Sequence, residues 1–227
     1  MKEEKIVHLI EAFNSFQGEG PDVGKSMIIL RFKYCSRVHP CPWCDTLIKM
    51  RISMEAPYKI SDLQKTIYEN KLGILISGGE PTFERHFDDT LNLLNELDFV
   101  TANVESNGYN LYGLIQQVKN QDKIKYMYSP KIFNEVELED AKKLTEKFLP
   151  IPNVHFKIVY ENNPLIIEYL DFLYTYYESL AWQHRVWLMP EGSTREKLIE
   201  NSHAVFDACE KYNFNFSSRS HIIFGFV

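Results

Sequence analysis

Three of the four cysteines in this 227-residue chain fall in one short stretch, Cys35-Ser-Arg-Val-His-Pro-Cys41-Pro-Trp-Cys44, with Asp45 and Thr46 directly after it. Thiolates are soft ligands, and three this close in sequence can close on a single metal centre. Three is an incomplete set for a tetrahedral thiolate site. With His39 added, the loop offers a Cys3His zinc set, which would be structural support. With three thiolates alone, one position of an iron–sulfur cluster stays open, which would be chemistry. On the loop alone both readings stand.

The elements that must position these residues repeat along the chain. Ser26 to Tyr34 is an apolar run that predicts a buried strand, and Cys35 follows it directly. Further strands are expected at 72–77, 100–105, 123–129, 155–160 and 185–189. Helices are expected between them. Phe83 to Leu97 carries apolar residues at helical spacing. Leu111 to Lys119, Glu135 to Phe148 and Leu165 to Tyr177 follow, the last opened by Pro164. A final helix, capped by Ser193 or Thr194, runs to about Tyr212. Leu47 to Tyr58 lacks clear periodicity. Strands alternating with helices predict an α/β fold with a mostly parallel sheet, either open or a partial barrel, in one domain over residues 1–227.

The unusual polar residues sit after these strands. Ser77-Gly-Gly-Glu-Pro-Thr82, Glu105-Ser-Asn-Gly108, Ser129-Pro-Lys131 and Met189-Pro-Glu-Gly192 join the cysteine loop in that position. Ligands of α/β folds bind at the carboxyl ends of the strands, so these five loops predict one binding face. A structural zinc loop has no reason to sit there. Lys157, inside an apolar strand, either snorkels outward or holds an anion. Cys209, far from the cluster, is expected to be a small core residue.

The bulk numbers are those of a globular chain, 44% apolar and 25% charged, with net charge −6. That balance argues against a nucleic-acid footprint, which needs clustered Lys and Arg. No apolar run approaches the ~18 residues of a membrane span. The N-terminus, Met1-Lys-Glu-Glu-Lys-Ile6, lacks a signal-peptide pattern. A cytoplasmic protein is expected, where clustered cysteines mean metal or catalysis.

Taken together, these motifs resemble the radical S-adenosylmethionine (SAM) enzymes, and most closely the 7-carboxy-7-deazaguanine synthases of the queuosine pathway. Ser15-Phe-Gln-Gly-Glu-Gly20 is similar to that family's N-terminal segment. Cys41-Pro-Trp-Cys-Asp-Thr46 matches its Cys-x-Trp-Cys-Asp-Thr. Ser77-Gly-Gly-Glu-Pro81, Glu105-Ser-Asn-Gly108, Ser129-Pro-Lys131, Leu188-Met-Pro-Glu-Gly192 and Ser218-Arg-Ser-His221 follow in the family's order, so the likeness runs from residue 13 to the C-terminus. One feature departs from it. Five residues separate Cys35 from Cys41, against three in the usual pattern. A flexible loop lengthens at little entropic cost, so the three thiols can still close on one cluster, and the longer gap bears on the loop's geometry more than on the ligand assignment.

The resemblance implies a partial (β/α)6 radical SAM barrel with Cys35, Cys41 and Cys44 on three irons of a [4Fe–4S] cluster. It implies SAM on the fourth iron, contacted by Trp43, Gly78, Gly79, Glu105, Ser106, Ser129, Pro130, Lys131 and Met189. The implied substrate is 6-carboxy-5,6,7,8-tetrahydropterin, met by Phe16, Gln17, Gly18, Glu19, Arg31, Ser77, His221 and the terminal carboxylate of Val227. Arg31 would pair with its carboxylate, and Thr46 would help hold Mg2+. Hydrogen abstraction at C6, ring contraction and loss of ammonia would make the enzyme a carbon–nitrogen lyase, with no side chain assigned as acid or base. Implied partners are an electron donor such as flavodoxin or ferredoxin and a second copy in a homodimer, with no nucleic acid and no membrane. Two alternatives differ in class: a radical SAM activase that installs a glycyl radical on a partner protein, and a non-enzymatic zinc-stabilised binding module.

Overall fold

The structure is a computed structural model that describes residues 4–176 and 184–226. Tyr177, expected to end a helix, and Val227 lie outside the described residues. The chain forms two compact units, Met1–Gln17 with Gly24–Tyr126, and Gly18–Val23 with Met127–Val227.

In the first unit β3 (Ser26–Phe32) pairs in parallel with β5 (Gly73–Gly78), and β5 with β6 (Ala102–Ser106). The β3 sequence is apolar on both faces because both are covered, as parallel strands require. Ile28, Leu30 and Phe32 are buried on one face, and Met27 and Ile29 on the other. Met27 and Ile29 cluster with Leu75 and Phe13. Two elements the hydrophobic pattern did not predict complete this side. β2 (Glu11–Phe16) runs antiparallel along β3. β1 (Ile6–Leu9) pairs with β4 (Ala56–Lys59) in a separate two-stranded sheet. The aperiodic stretch after the cysteine loop contains α1 (Leu47–Ile52) before β4, and α2 (Ile60–Asn70) follows. The helix expected from Phe83 is α3 (Phe87–Glu96). Residues 80–86 are instead a pair of tight turns, Phe83 N–H to Glu80 O and His86 N–H to Phe83 O, at 3.1 and 2.8 Å. α4 (Leu111–Gln117) leads towards β7 (Ile124–Tyr128), a strand whose residues divide between the units.

The second unit alternates as expected: α5 (Glu135–Phe148), β8 (Val154–Tyr160), α6 (Pro164–Thr175), β9 (Val186–Pro190), α7 (Arg195–Tyr212), β10 (Asn215–Phe216) and α8 (Ser220–Phe224). β8, β9 and β10 are parallel neighbours. Side-chain oxygens of Asn134, Asn163 and Thr194 cap α5, α6 and α7 by accepting from the backbone N–H three residues on. Thr194, not Ser193, is therefore the cap of the last long helix. Tyr128 packs edge-on against Phe148 and Phe156. Strand side chains alternate in direction, so Phe156 and Ile158 face the helix side. Lys157 and Val159, register partners of Trp187 and Met189, share the opposite face.

The α/β class and the mostly parallel strand pairing are as expected. Among the described residues no helix is long and apolar enough to cross a membrane.

Candidate functional site

The cysteine loop leaves β3 under tight control. Tyr34 N–H donates to His86 Nε2 at 3.1 Å, and Tyr34 O accepts from Glu80 N–H at 2.7 Å. The Phe32 and Tyr34 rings stack on the His86 ring, and the Arg85 guanidinium lies 4.2 Å from the Tyr34 ring centre. Burial, helped by the Arg85 charge, pushes the His86 pKa down to about 4. The ring is neutral at pH 7, as an acceptor of the Tyr34 N–H must be. A folded pKa below the unfolded ~6.5 means the unfolded state takes up the proton first as pH falls. Stability from His86 is therefore complete above pH ~6.5 and is lost as pH falls towards 4. His86→Gln keeps an acceptor and should flatten that part of the urea-midpoint profile. An unchanged slope would refute the assignment.

The Gly-Gly-Glu-Pro segment is more than a turn. Gly78 has φ +115°, in the region that favours glycine, and Gly79 N–H donates to Phe32 O at 3.0 Å. A Cβ on Gly79 would lie 1.9 Å from Tyr34 O. Glu80, 1% exposed, accepts from Thr82 N–H (3.0 Å), Thr82 Oγ1 (2.6 Å), Ser106 Oγ (2.8 Å) and Asn107 N–H (2.7 Å). It thus ties the end of β5 to the end of β6. Burial raises its carboxyl above the usual range, against those hydrogen bonds.

The loop itself brings Cys44 Sγ within 3.4 Å of Thr46 Oγ1, which donates to Gly78 O at 3.3 Å. Cys35 Sγ lies 3.9 Å from Asn107 Nδ2. Cys35, Cys41 and Cys44 are half-buried thiols that form no disulfide, and Trp43 is half-buried beside them. Within the long first gap Val38, His39 and Pro40 are exposed. Among the described residues no three donor atoms of Cys35, His39, Cys41 and Cys44 lie within 4.8 Å of one another. A tetrahedral zinc would need sulfurs about 4 Å apart, given Zn–S bonds of about 2.3 Å. The donor set, three soft thiols beside a backbone cradle that admits only glycine, fits a thiolate-bound cluster. Cys209 is a buried helix residue whose thiol burial pushes up to about 12, in keeping with a packing role.

Other expected residues of the first unit gather on the face of β3, β5 and β6 that carries Met27, Ile29 and Leu75. Arg31 and Ser77 are register partners there, as are Leu75 and Asn103. Buried Gln17 donates to Asn103 Oδ1 at 3.0 Å and to Glu105 Oε1 at 3.4 Å. Arg31 Nε pairs with Glu11 at 2.5 Å, and Lys49 with the other Glu11 oxygen at 2.8 Å. Glu11 and Asn103 carried no sequence signal. Phe16 is 47% exposed.

In the second unit Glu19 is the centre of a buried charge cluster. Lys157 Nζ donates to its Oε2 at 2.5 Å and Arg219 Nε to its Oε1 at 3.1 Å, while His221 Nε2 lies 3.9 Å from Oε1. Arg219 also donates to Gly192 O at 2.6 Å. Burial alone would raise the Glu19 carboxyl, but Lys157, Arg219 and His221 outweigh it and hold it well below the usual range. Lys157 therefore points inward. Arg219 was visible in the sequence only as part of a motif. A Cβ on Gly18 would meet His221 Nδ1 at 2.2 Å, so a larger residue there would have to push the imidazole aside. Ser220 N–H donates to Gly18 O, and Ser217 Oγ accepts from Gly20 N–H. Lys131 Nζ donates to Ser129 Oγ at 2.6 Å, beside Pro130, and buried Met189 lies on the same strand face as Lys157.

Comparison with known proteins gives one consistent direction. No protein-family model matches the chain. Six curated relatives match, all named 7-carboxy-7-deazaguanine synthase. That of Hyperthermus butylicus is 25% identical over 225 residues, spanning 96% of this chain and 92% of the relative. That of Thermoplasma acidophilum is 29% identical over 185 residues, spanning 77% and 79%. The crystal structure of QueE from Escherichia coli superposes with a TM-score of 0.57 over 95% of both chains, at 18% identity. Streptococcus suis SuiB bound to S-adenosylmethionine superposes with a TM-score of 0.52 over 84% of this chain and 48% of its own, at 17% identity. The fold is the one these enzymes share, and the expected partial (β/α)6 radical SAM barrel is met.

Proposed function

We infer that this chain, which stands with the 7-carboxy-7-deazaguanine synthases in sequence and with QueE in fold, is a radical SAM lyase of 7-deazapurine synthesis. Its substrate on this reading is 6-carboxy-5,6,7,8-tetrahydropterin, converted with loss of ammonia. The observation that carries it is the pairing of a three-thiol loop with the Gly78-Gly79-Glu80 cradle, in a chain that matches a named synthase over 96% of its length. The likeness to QueE over 95% of both chains supports reading residues 1–227 as one domain.

Cys35, Cys41 and Cys44 would hold a [4Fe–4S] cluster, and Gly78 and Gly79 would let backbone approach the bound SAM. When bound, cluster and SAM supply one-electron cleavage that yields a hydrogen-abstracting 5′-deoxyadenosyl radical. The chain's own residues bind and orient. Glu105 and Ser106, and in the second unit Ser129, Lys131 and Met189, are the proposed SAM contacts. Glu19, kept as a carboxylate by Lys157 and Arg219, would accept from N–H groups of the pterin edge. His221 beside it, and Gln17 with Arg31 and Ser77, are the further proposed substrate contacts, with Arg31 on the substrate carboxylate. Thr46 offers a hard oxygen for Mg2+. An iron–sulfur or flavin electron carrier, a homodimeric state and a cytoplasmic location complete the proposal.

Anaerobic incubation of cluster-loaded protein with SAM, Mg2+, reductant and the carboxypterin is expected to give 7-carboxy-7-deazaguanine and 5′-deoxyadenosine. Deoxyadenosine without the deazaguanine would sink the substrate assignment and leave the radical chemistry. A colourless protein holding zinc and no iron would sink both.

A further inference from the structure

The side-chain amide of Asn107 stands directly over the cysteine loop, and its orientation is fixed by its neighbours. Tyr109 N–H donates to Asn107 Oδ1 at 3.1 Å, which only an oxygen can accept. The amide is thereby set with Nδ2 towards the loop, 3.0 Å from Ser36 Oγ and 3.9 Å from Cys35 Sγ. An amide NH2 has two hydrogens, one for each of these partners. The backbone is held as firmly, since Asn107 N–H donates to buried Glu80 at 2.7 Å. The donor thus hangs from the strand-end anchor that also organises the glycine cradle.

We propose that Asn107 is an outer-sphere hydrogen-bond donor to the Cys35 thiolate and sets the reduction potential of the cluster that this thiolate would hold. The assignment rests on the cluster-binding reading given above. Reduction adds electron density to the cluster sulfurs, and a donor to one of them stabilises the reduced state more than the oxidised one. Asn107 does this without a charge of its own, so the effect is independent of pH near neutrality. It also leaves the iron coordination unchanged, which makes Asn107 a positioning and tuning residue and not a ligand.

The test is the midpoint potential of the reconstituted cluster, read by spectroscopic titration in the wild type, Asn107→Leu and Asn107→Asp. Asn107→Leu removes both amide groups in a similar volume. Asn107→Asp keeps the acceptor for Tyr109 N–H, removes the donor and adds a negative charge beside the thiolate, so its potential should fall further than that of Asn107→Leu. Both potentials are expected to fall. At a fixed solution potential the reduced-to-oxidised ratio should drop on the order of tenfold, about 59 mV for a one-electron couple. Resonance Raman in D2O supplies a second readout. The Fe–S(Cys) bands of the wild type should shift on deuteration, and one such shift should be missing in both variants. Wild-type potentials in both variants at full iron and sulfide content would overturn the assignment, showing Asn107 only as a loop anchor. A wild type that assembles no cluster would overturn the functional reading as well.

Discussion

Gly79→Ala is expected to abolish cluster assembly in a chain that still folds. The added Cβ would lie 1.9 Å from Tyr34 O, 2.2 Å from Tyr34 C and 2.8 Å from Cys35 N. All three are backbone atoms, so no side-chain rotation relieves the clash. The Tyr34–Cys35 peptide must move away from the end of β5. That movement breaks the 2.7 Å bond from Glu80 N–H to Tyr34 O and strains the 3.1 Å bond from Tyr34 N–H to His86. Overpacking of this kind costs about 1–3 kcal/mol, an amount a domain of this size tolerates. The position of Cys35 is not so tolerant, because a three-ligand cluster loses a third of its anchoring when one thiol is displaced. Iron and sulfide per chain after anaerobic reconstitution should fall close to zero, while the circular dichroism spectrum keeps its native shape. Full iron content in the variant would show that the cradle does not set the thiol's place.

How much of this was legible beforehand follows from the range of the interactions. The cysteine loop, Gly-Gly-Glu-Pro, Glu-Ser-Asn-Gly and Ser-Pro-Lys were readable because each follows an apolar run that predicts a strand, and strand ends collect ligands. The glycines announced a backbone requirement. Their partner did not: that the crowding atom is Tyr34 O depends on β3 and β5 lying side by side in register, which no local pattern encodes. His86 looked like an ordinary helix residue, yet it stands in a turn and accepts from the loop. The strands missed, β1, β2, β4 and β10, are short or half-exposed, and their pattern is too weak for periodicity to find. The hardest residues to read were Lys157 and Arg219. Their carboxylate partner is 138 and 200 residues away, and a lysine in an apolar strand is equally compatible with snorkelling.

Those two residues underlie the other large effect, expected for Glu19→Gln. Lys157 and Arg219 are each 5% exposed, and both bond the Glu19 carboxylate. Replacing it by a neutral amide of the same shape keeps the volume and removes the charge that holds two buried cations in place. Breaking a buried ion pair from one side costs about 3–5 kcal/mol, so the urea midpoint at pH 7 should fall steeply. The same substitution should change the acid limb. Glu19 has its folded pKa held below the unfolded value of 4.5, chiefly by Lys157 and Arg219 against the penalty of burial. A depressed carboxyl contributes stability that is complete above the unfolded pKa and is lost as pH falls below it. Wild type should therefore weaken progressively below pH 4.5, and Glu19→Gln, with no carboxyl to protonate, should lose less over the same interval. Lys157→Met offers the complementary case. It leaves Glu19 its bond from Arg219 and substitutes an apolar chain of similar length, so its cost at pH 7 should be the smaller of the two. On the functional side, Glu19→Gln should raise KM for the carboxypterin while leaving iron content unchanged, because the cluster thiols belong to a different loop. If Glu19→Gln matches the wild type in midpoint and in acid slope, the two cations draw their stabilisation from elsewhere. The carboxylate would then be free of the structural role that its contacts assign it.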